Sequence, residues 1–139
     1  MSKHTMKMKT DMIGNRICAF AFLAASATLC SLPPAVAAPT PYDGSWSMFL
    51  VTTSGHCGNI KIGMAVKGGQ ISATSGKFVM HRIALAGRIV GSGATKINGV
   101  AGPRKAYGIG KFNRARGLGD WNGTGPSGVC SGYWVANRA

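Results

Sequence analysis

The chain has 139 residues, which is enough for one ordinary domain. It carries 16 Lys and Arg against 3 acidic residues, a formal net charge of +13, and the acids are Asp11, Asp43 and Asp120 with no glutamate. Acid–base catalysis by paired carboxylates needs two acids across a substrate, so this composition argues against an enzyme.

Residues 1–37 predict a helical secretory signal peptide. Residues 1–16 are basic, 17–32 are apolar or small, and Ala35-Val36-Ala37 forms a small-residue cleavage site. The apolar run is shorter than the roughly 20 residues that cross a bilayer, although an uncleaved anchor is the alternative. We therefore expect an exported protein, periplasmic or extracellular, whose mature form has no transmembrane span. After residue 37, twelve cations stand against two acids, which is a net charge of +10.

The mature chain predicts short β-strands in a single domain, 43–139, after a flexible lead-in, 38–42. Apolar and polar residues alternate with period two, most clearly at 59–66, and Lys67-Gly68-Gly69-Gln70 predicts a hairpin turn. The fold class is all-β, either a small antiparallel meander barrel or a compact sandwich of about eight strands. The predicted strands are 45–53, 59–66, 70–74, 77–85, 87–90, 94–100, 105–112, 119–122 and 129–136.

Two cysteines, Cys57 and Cys130, lie beyond the leader. In an exported small domain such a pair predicts one disulfide, and a catalytic or metal-binding thiol is the alternative. Similar turn and cysteine sequences near both ends of the mature chain indicate that the first and last strand pairs lie together. We expect a structural aromatic core formed by Trp46, Trp121 and Trp134.

Other chemistry finds little support in the sequence. Asp43 and Asp120 each adjoin a turn glycine or a tryptophan, which is typical of turn and strand-end hydrogen bonding. Copper binding by Met and His is the metal alternative, but Met48 and Met64 are in phase with core positions and no pair has metal-ligand spacing. We therefore predict no metal, no cofactor and no catalytic residue. The donors considered are His56, His81, Met48, Met64 and Met80.

The basic residues of 104–116 form the most informative feature. Five of the twelve mature cations fall within these 13 residues, and Lys105, Tyr107, Ile109 and Lys111 share one face of a strand. Such a surface attracts polyanions, with an affinity that falls as salt rises, although a merely solvated hairpin is the alternative. The candidate anion-binding residues are Arg104, Lys105, Lys111, Arg114 and Arg116.

Several short sequence motifs of this chain resemble those of a family of short exported α-proteobacterial proteins, which carry D-G-x-W, G-x-C and C-S-G-x-W motifs. Here they read Asp43-Gly44-Ser45-Trp46, Gly55-His56-Cys57 and Cys130-Ser131-Gly132-Tyr133-Trp134. The likeness covers about 42–138, and the chain departs from it at Asp120, which precedes Trp121 where the family has G-x-G-x-W. The resemblance implies export and a β fold, and it brings no catalytic residues with it.

These observations predict a non-enzymatic, monomeric exported β-module. Its expected partner is a polyanion of the envelope, such as lipopolysaccharide or an acidic polysaccharide, or else an acidic protein. The alternative function is a periplasmic inhibitor of a secreted protease, acting through the segment 38–42, by analogy of fold alone. A purely structural role in the envelope is the third possibility.

Overall fold

The computed structural model describes residues 32–139, of which Pro34–Ala139 form one compact unit. The predicted signal peptide lies outside the described residues except for its last six positions, which are exposed and carry no regular secondary structure. Within the described part, no helix is long and apolar enough to cross a bilayer. The ordered elements are all strands, so the all-β prediction is confirmed.

Eight strands close into one antiparallel barrel. The order around it is β1-β10-β9-β8-β7-β6-β3-β2, and β1 pairs with both β10 and β2. This closure distinguishes a barrel from a sandwich. Two short strands, β4 and β5, form a separate hairpin inserted between β3 and β6. The bounds are β1 Gly44–Ser54, β2 Ile60–Lys67, β3 Gln70–Ser75, β4 Lys77–Phe78, β5 His81–Arg82, β6 Ala84–Ile89, β7 Ala94–Ala101, β8 Arg104–Phe112, β9 Arg116–Gly125 and β10 Gly128–Arg138.

The prediction of a single strand over 77–85 is wrong, because the inserted hairpin of β4 and β5 occupies most of this segment. The chain reverses at Val79, whose φ of +57° lies in the left-handed region that a β-branched residue rarely adopts. The strand that follows, β6, continues through Ala86, where the sequence predicts a break between the strands 77–85 and 87–90. Gly87 lies at a close approach of β7, because a Cβ there would stand 3.1 Å from the Cα of Ile97.

The ninth strand is also longer than the predicted 119–122. Its glycines serve close packing rather than turns, because a Cβ at Gly117 would stand 2.6 Å from Cε1 of Phe112. At Gly119 it would stand 2.6 Å from the Cα of Gly110 on the neighbouring strand. Glycine at these positions lets the barrel wall close tightly over large aromatic side chains.

The three tryptophans are buried in the barrel, as the predicted aromatic core requires. Phe112 contacts Trp46 edge-on at 5.1 Å between ring centroids and lies 5.4 Å from Trp134. Each indole N–H donates to a main-chain carbonyl, at 2.9, 3.1 and 3.2 Å for Trp46, Trp121 and Trp134. Their polar edges are therefore satisfied while their rings exclude water.

The predicted disulfide is confirmed. Cys57 and Cys130 are joined with 6.2 Å between their Cα atoms, and they connect the β1–β2 loop to β10. Since β1 and β10 are also hydrogen-bonded neighbours, the bridge reinforces the seam where the first and last barrel strands meet.

One end of the barrel, here called the closed end, is sealed by the segment before β1. Tyr42 is buried, and its hydroxyl donates to the Gly91 carbonyl at 3.1 Å, so the predicted flexible lead-in is anchored at its last residue. Arg138 stacks its guanidinium on Trp46 at 4.6 Å. It also donates at 2.7–2.8 Å to the carbonyls of Pro41, Asp43 and Arg114.

The other end, here called the open end, carries the longer connections. It holds the β1–β2 loop at 55–59, the β4–β5 hairpin and the tight turns at 102–103 and 126–127. The two ends therefore differ: one is sealed by aromatic rings and main-chain hydrogen bonds, and the other is bounded by loops.

Candidate functional site

The structure distributes the five predicted anion-binding residues over the length of the barrel. Lys105 and Lys111 both lie on the outer face of β8, but six residues separate them, which is about 20 Å along a strand. Arg114 and Arg116 follow near the closed end, in the β8–β9 turn and at the start of β9. Arg104 lies at the opposite end and is half-buried. These residues therefore do not form one compact patch.

The strand register instead brings Lys111 together with two cations from other strands. Arg88 on β6 lies directly opposite Lys96 on β7, where Cβ atoms stand about 5 Å apart. Lys96 lies opposite Ile109 on β8, so Lys111 is its diagonal neighbour at about 7–8 Å. Three exposed cations thus occupy three adjacent strands.

These cations border a shallow groove with an apolar floor, here called the cationic groove and defined by Arg88, Lys96 and Lys111. Its floor includes Ile109 and Leu118, whose side chains are about half exposed. Like charges on directly opposed positions of a sheet repel one another and destabilise it. The groove therefore holds an excess of positive charge that an anion would offset.

A second depression adjoins the first on the same outer face, and it is here called the tyrosine groove. Tyr107 and Tyr133 flank β9 from β8 and β10, and Asp120 and Asn122 lie between them on β9. Asp120 faces Ile109 across β8 and β9, and both residues line the two grooves. The two grooves therefore form one continuous surface.

Sequence reasoning found Lys111 but missed Arg88 and Lys96. The signal that could have found them is the Gly91-Ser92-Gly93 turn between β6 and β7. Counting outward from that turn pairs Ile89 with Thr95 and hence Arg88 with Lys96. The prediction relied on cations that are close in sequence, whereas the sheet brings cations together through the register of its strands.

Metal-binding side chains do not gather in the described part of the chain. Among residues 32–139, no group of three or more His, Cys, Asp or Glu is close enough to hold an ion. Met48 and Met64 are buried in the core.

Searches of protein-family models, of curated proteins and of solved structures find no match for this chain.

Proposed function

We propose that this protein is an exported, non-enzymatic module that binds an acidic polysaccharide on the outer face of its barrel. The observation that carries the proposal is the set of three cations on adjacent strands, Arg88, Lys96 and Lys111. Asp120 is the one acid that lines the same groove. An anionic ligand spanning these strands would relieve the repulsion between the cations and gain counterion release.

The adjoining tyrosine groove favours a polysaccharide over other polyanions. The exposed rings of Tyr107 and Tyr133 offer flat apolar faces, and Asp120 and Asn122 offer acceptors for hydroxyl groups. The carboxylate of Asp120 lies on the path between the two grooves and repels a continuous phosphate backbone. A polymer of sugar rings with spaced negative groups fits this arrangement of aromatic, polar and cationic side chains.

Export is supported by the disulfide. A bridge between Cys57 and Cys130 persists in oxidising compartments outside the cytoplasm, which is also where acidic polysaccharides occur.

The proposal is tested by comparing dextran sulfate with neutral dextran, which share a backbone and differ in charge. We expect retention on dextran sulfate at low salt, and a logarithm of affinity that falls linearly with the logarithm of salt, with a slope of roughly −2. The Arg88→Gln/Lys96→Gln/Lys111→Gln variant should lose most of this affinity and flatten the salt dependence. Stronger retention on lipopolysaccharide or DNA than on any acidic glycan would redirect the proposal to that ligand.

A control variant, Lys61→Gln/Lys67→Gln/Arg82→Gln, removes the same charge from exposed positions outside both grooves. It should keep most of the affinity, because net charge alone is not the proposed determinant. Tyr133→Ser should weaken binding several-fold without changing the salt slope, since stacking on the ring releases no counterions. Equal losses in the two triple variants would overturn the proposal.

Protease inhibition, the alternative function, draws less support from the geometry. It was expected to use the segment 38–42 as the inserted element. The end of that segment is buried at Tyr42 and is fixed by the hydrogen bonds between Thr40 and Asp43, so Pro41 and the residues before Thr40 are its exposed part.

A further inference from the structure

An apolar cavity of about 90 Å³ lies inside the barrel toward the open end. Its large side chains include Leu50, Ile62, Trp121 and Trp134. An eight-stranded barrel is just wide enough for its side chains to fill it or for one small ligand. In this barrel the interior is left partly unfilled.

Small residues on three adjacent strands produce the cavity. Gly99 on β7, Ala106 on β8 and Gly123 on β9 all line it, so one wall of the barrel carries almost no side-chain volume there. Interiors are normally packed with few voids larger than a water molecule. A void that combines aromatic walls with a small-residue wall is suited to an apolar guest.

Arg104 lies at the mouth of this cavity. Its guanidinium stacks on Phe78 of the β4–β5 hairpin, with 5.1 Å from Cζ to the ring centroid. Its Nε is fully buried and has no hydrogen-bond partner within the described residues. A buried charged donor without a partner is costly, and a carboxylate is the natural acceptor for a guanidinium.

The rim of the open end is positively charged. Lys77 and Arg82 on the hairpin and Lys105 on β8 are exposed around the mouth. The two acids of the described chain lie elsewhere, with Asp43 at the closed end and Asp120 on the outer face. Nothing acidic in residues 32–139 therefore competes for Arg104 at the mouth.

We infer that this cavity binds a small amphipathic monocarboxylate, with its alkyl chain inside the barrel and its carboxylate on Arg104. The cavity has room for about three methylene-sized groups if each takes roughly the 30 Å³ of a water molecule in the liquid. The carboxylate carbon and one or two further carbons of the ligand lie at the mouth, outside this space. The best ligand is therefore a monocarboxylate with about four to six carbons in total. This site is independent of the cationic groove, because Arg88, Lys96 and Lys111 do not line it.

The test is a titration of the disulfide-bonded protein at pH 7 with acetate, butyrate, hexanoate and decanoate. Trp121 and Trp134 line the cavity, so their fluorescence reports occupancy. We expect affinity to rise from acetate to hexanoate and to gain little or fall at decanoate. Hexylamine, which reverses the charge, should not bind. If acetate binds as tightly as hexanoate, or hexylamine binds equally well, the inference is overturned.

Arg104→Met should weaken hexanoate binding at least ten-fold and leave hexanol binding unchanged, because only the charged contact is lost. Arg116→Met is the matched control, since it makes the same substitution at an exposed position of the closed end, outside the cavity lining, and should change the Kd less than two-fold. Equal effects of the two substitutions would refute the role of Arg104.

Ala106→Leu provides a second test that does not depend on the charge. Leucine should fill the cavity, abolish binding of both hexanoate and hexanol, and preserve or raise the midpoint of thermal unfolding. A folded Ala106→Leu protein that binds hexanoate normally would place the ligand outside the barrel.

Discussion

At the scale of single residues, Asp43 joins the segment before β1 to the β2–β3 turn. The hydroxyl of Thr40 donates to its carboxylate at 2.5 Å, and the amides of Gly68 and Gly69 donate at 2.8 and 3.1 Å. The Thr40 hydroxyl first, and then the Gly68 amide, lower the pKa of Asp43 from 3.8 to about 2, against the opposing effect of burial. The predicted role of Asp43 in turn hydrogen bonding is thereby confirmed.

This pKa gives stability a defined dependence on pH. The pKa of Asp43 is lower in the folded chain, about 2, than in the unfolded chain, about 4, so ionisation stabilises the fold above pH 4. That contribution is lost as pH falls from about 4 to about 2. Asp43→Asn should remove this part of the pH dependence, measured by urea unfolding from pH 2 to pH 7.

Asp120→Asn is the control for this experiment, because it changes the other acid of residues 32–139 at an exposed site. It should leave the loss of stability below pH 4 in place. If the free energies of unfolding of the wild type and of Asp43→Asn changed with pH in parallel, Asp43 would not be the source of this pH dependence.

At the scale of elements, the β4–β5 hairpin holds the one non-glycine residue with positive φ in the described chain, Val79. Its side chain is 67% exposed, so little packing compensates for the left-handed conformation. Val79→Asn should raise the free energy of unfolding by about 1 kcal/mol, because asparagine tolerates this region far better than valine. Urea unfolding of the two proteins measures the difference.

Met80→Asn is the matched control for the hairpin. It makes the same polar replacement one residue later, where the side chain is 88% exposed and φ is not positive. We expect it to change stability by less than about 0.5 kcal/mol. Equal effects at the two positions would show that the left-handed backbone at Val79 is not what costs stability.

The elements also show how far the sequence predicts this fold. Alternation predicts the barrel strands well, and the outward face of Lys105, Tyr107, Ile109 and Lys111 on β8 agrees with it. The same alternation along β8 directs Arg104 to the inner face of the barrel. The sequence pattern therefore already places Arg104 on the opposite face from Lys105 and Lys111.

Glycines are where local pattern fails. Gly117 resembles a turn residue in sequence, but it lies within β9, where the Phe112 ring occupies the space that a side chain would need. The ring that packs on Gly117 comes from the neighbouring strand β8, so the pattern along β9 alone does not indicate it. For the same reason, the sequence does not show the cavity, whose lining comes from strands distant in the chain.

At the scale of the whole molecule, the disulfide spans 73 residues and fastens the seam between β1 and β10. In the chain-entropy model, a loop of this length contributes about 4 kcal/mol by restricting the unfolded chain. Cys57→Ala/Cys130→Ala should therefore lower the free energy of unfolding by up to about 4 kcal/mol while the barrel pairing persists. Urea unfolding followed by circular dichroism measures both.

Reduction of the wild-type protein provides the comparison. The reduced protein should unfold close to the double variant, because both lack the cross-link, and a reducing agent should not affect the double variant. A loss below about 1 kcal/mol in both cases would mean that the seam is held by its strand pairing alone.

The circular strand order has a consequence for the protein at high concentration. Every barrel strand already has a neighbour on both sides, so most of its main-chain amides and carbonyls offer no template to a second molecule. The remaining edges are the open-end parts of β3 and β6, which pair with each other only at 70–72 and 86–88, and the two-residue strands β4 and β5. The strands β4 and β5 carry cationic side chains at Lys77 and Arg82. Crowded copies of this chain should therefore resist growing into fibrils as long as the ring of strands stays shut.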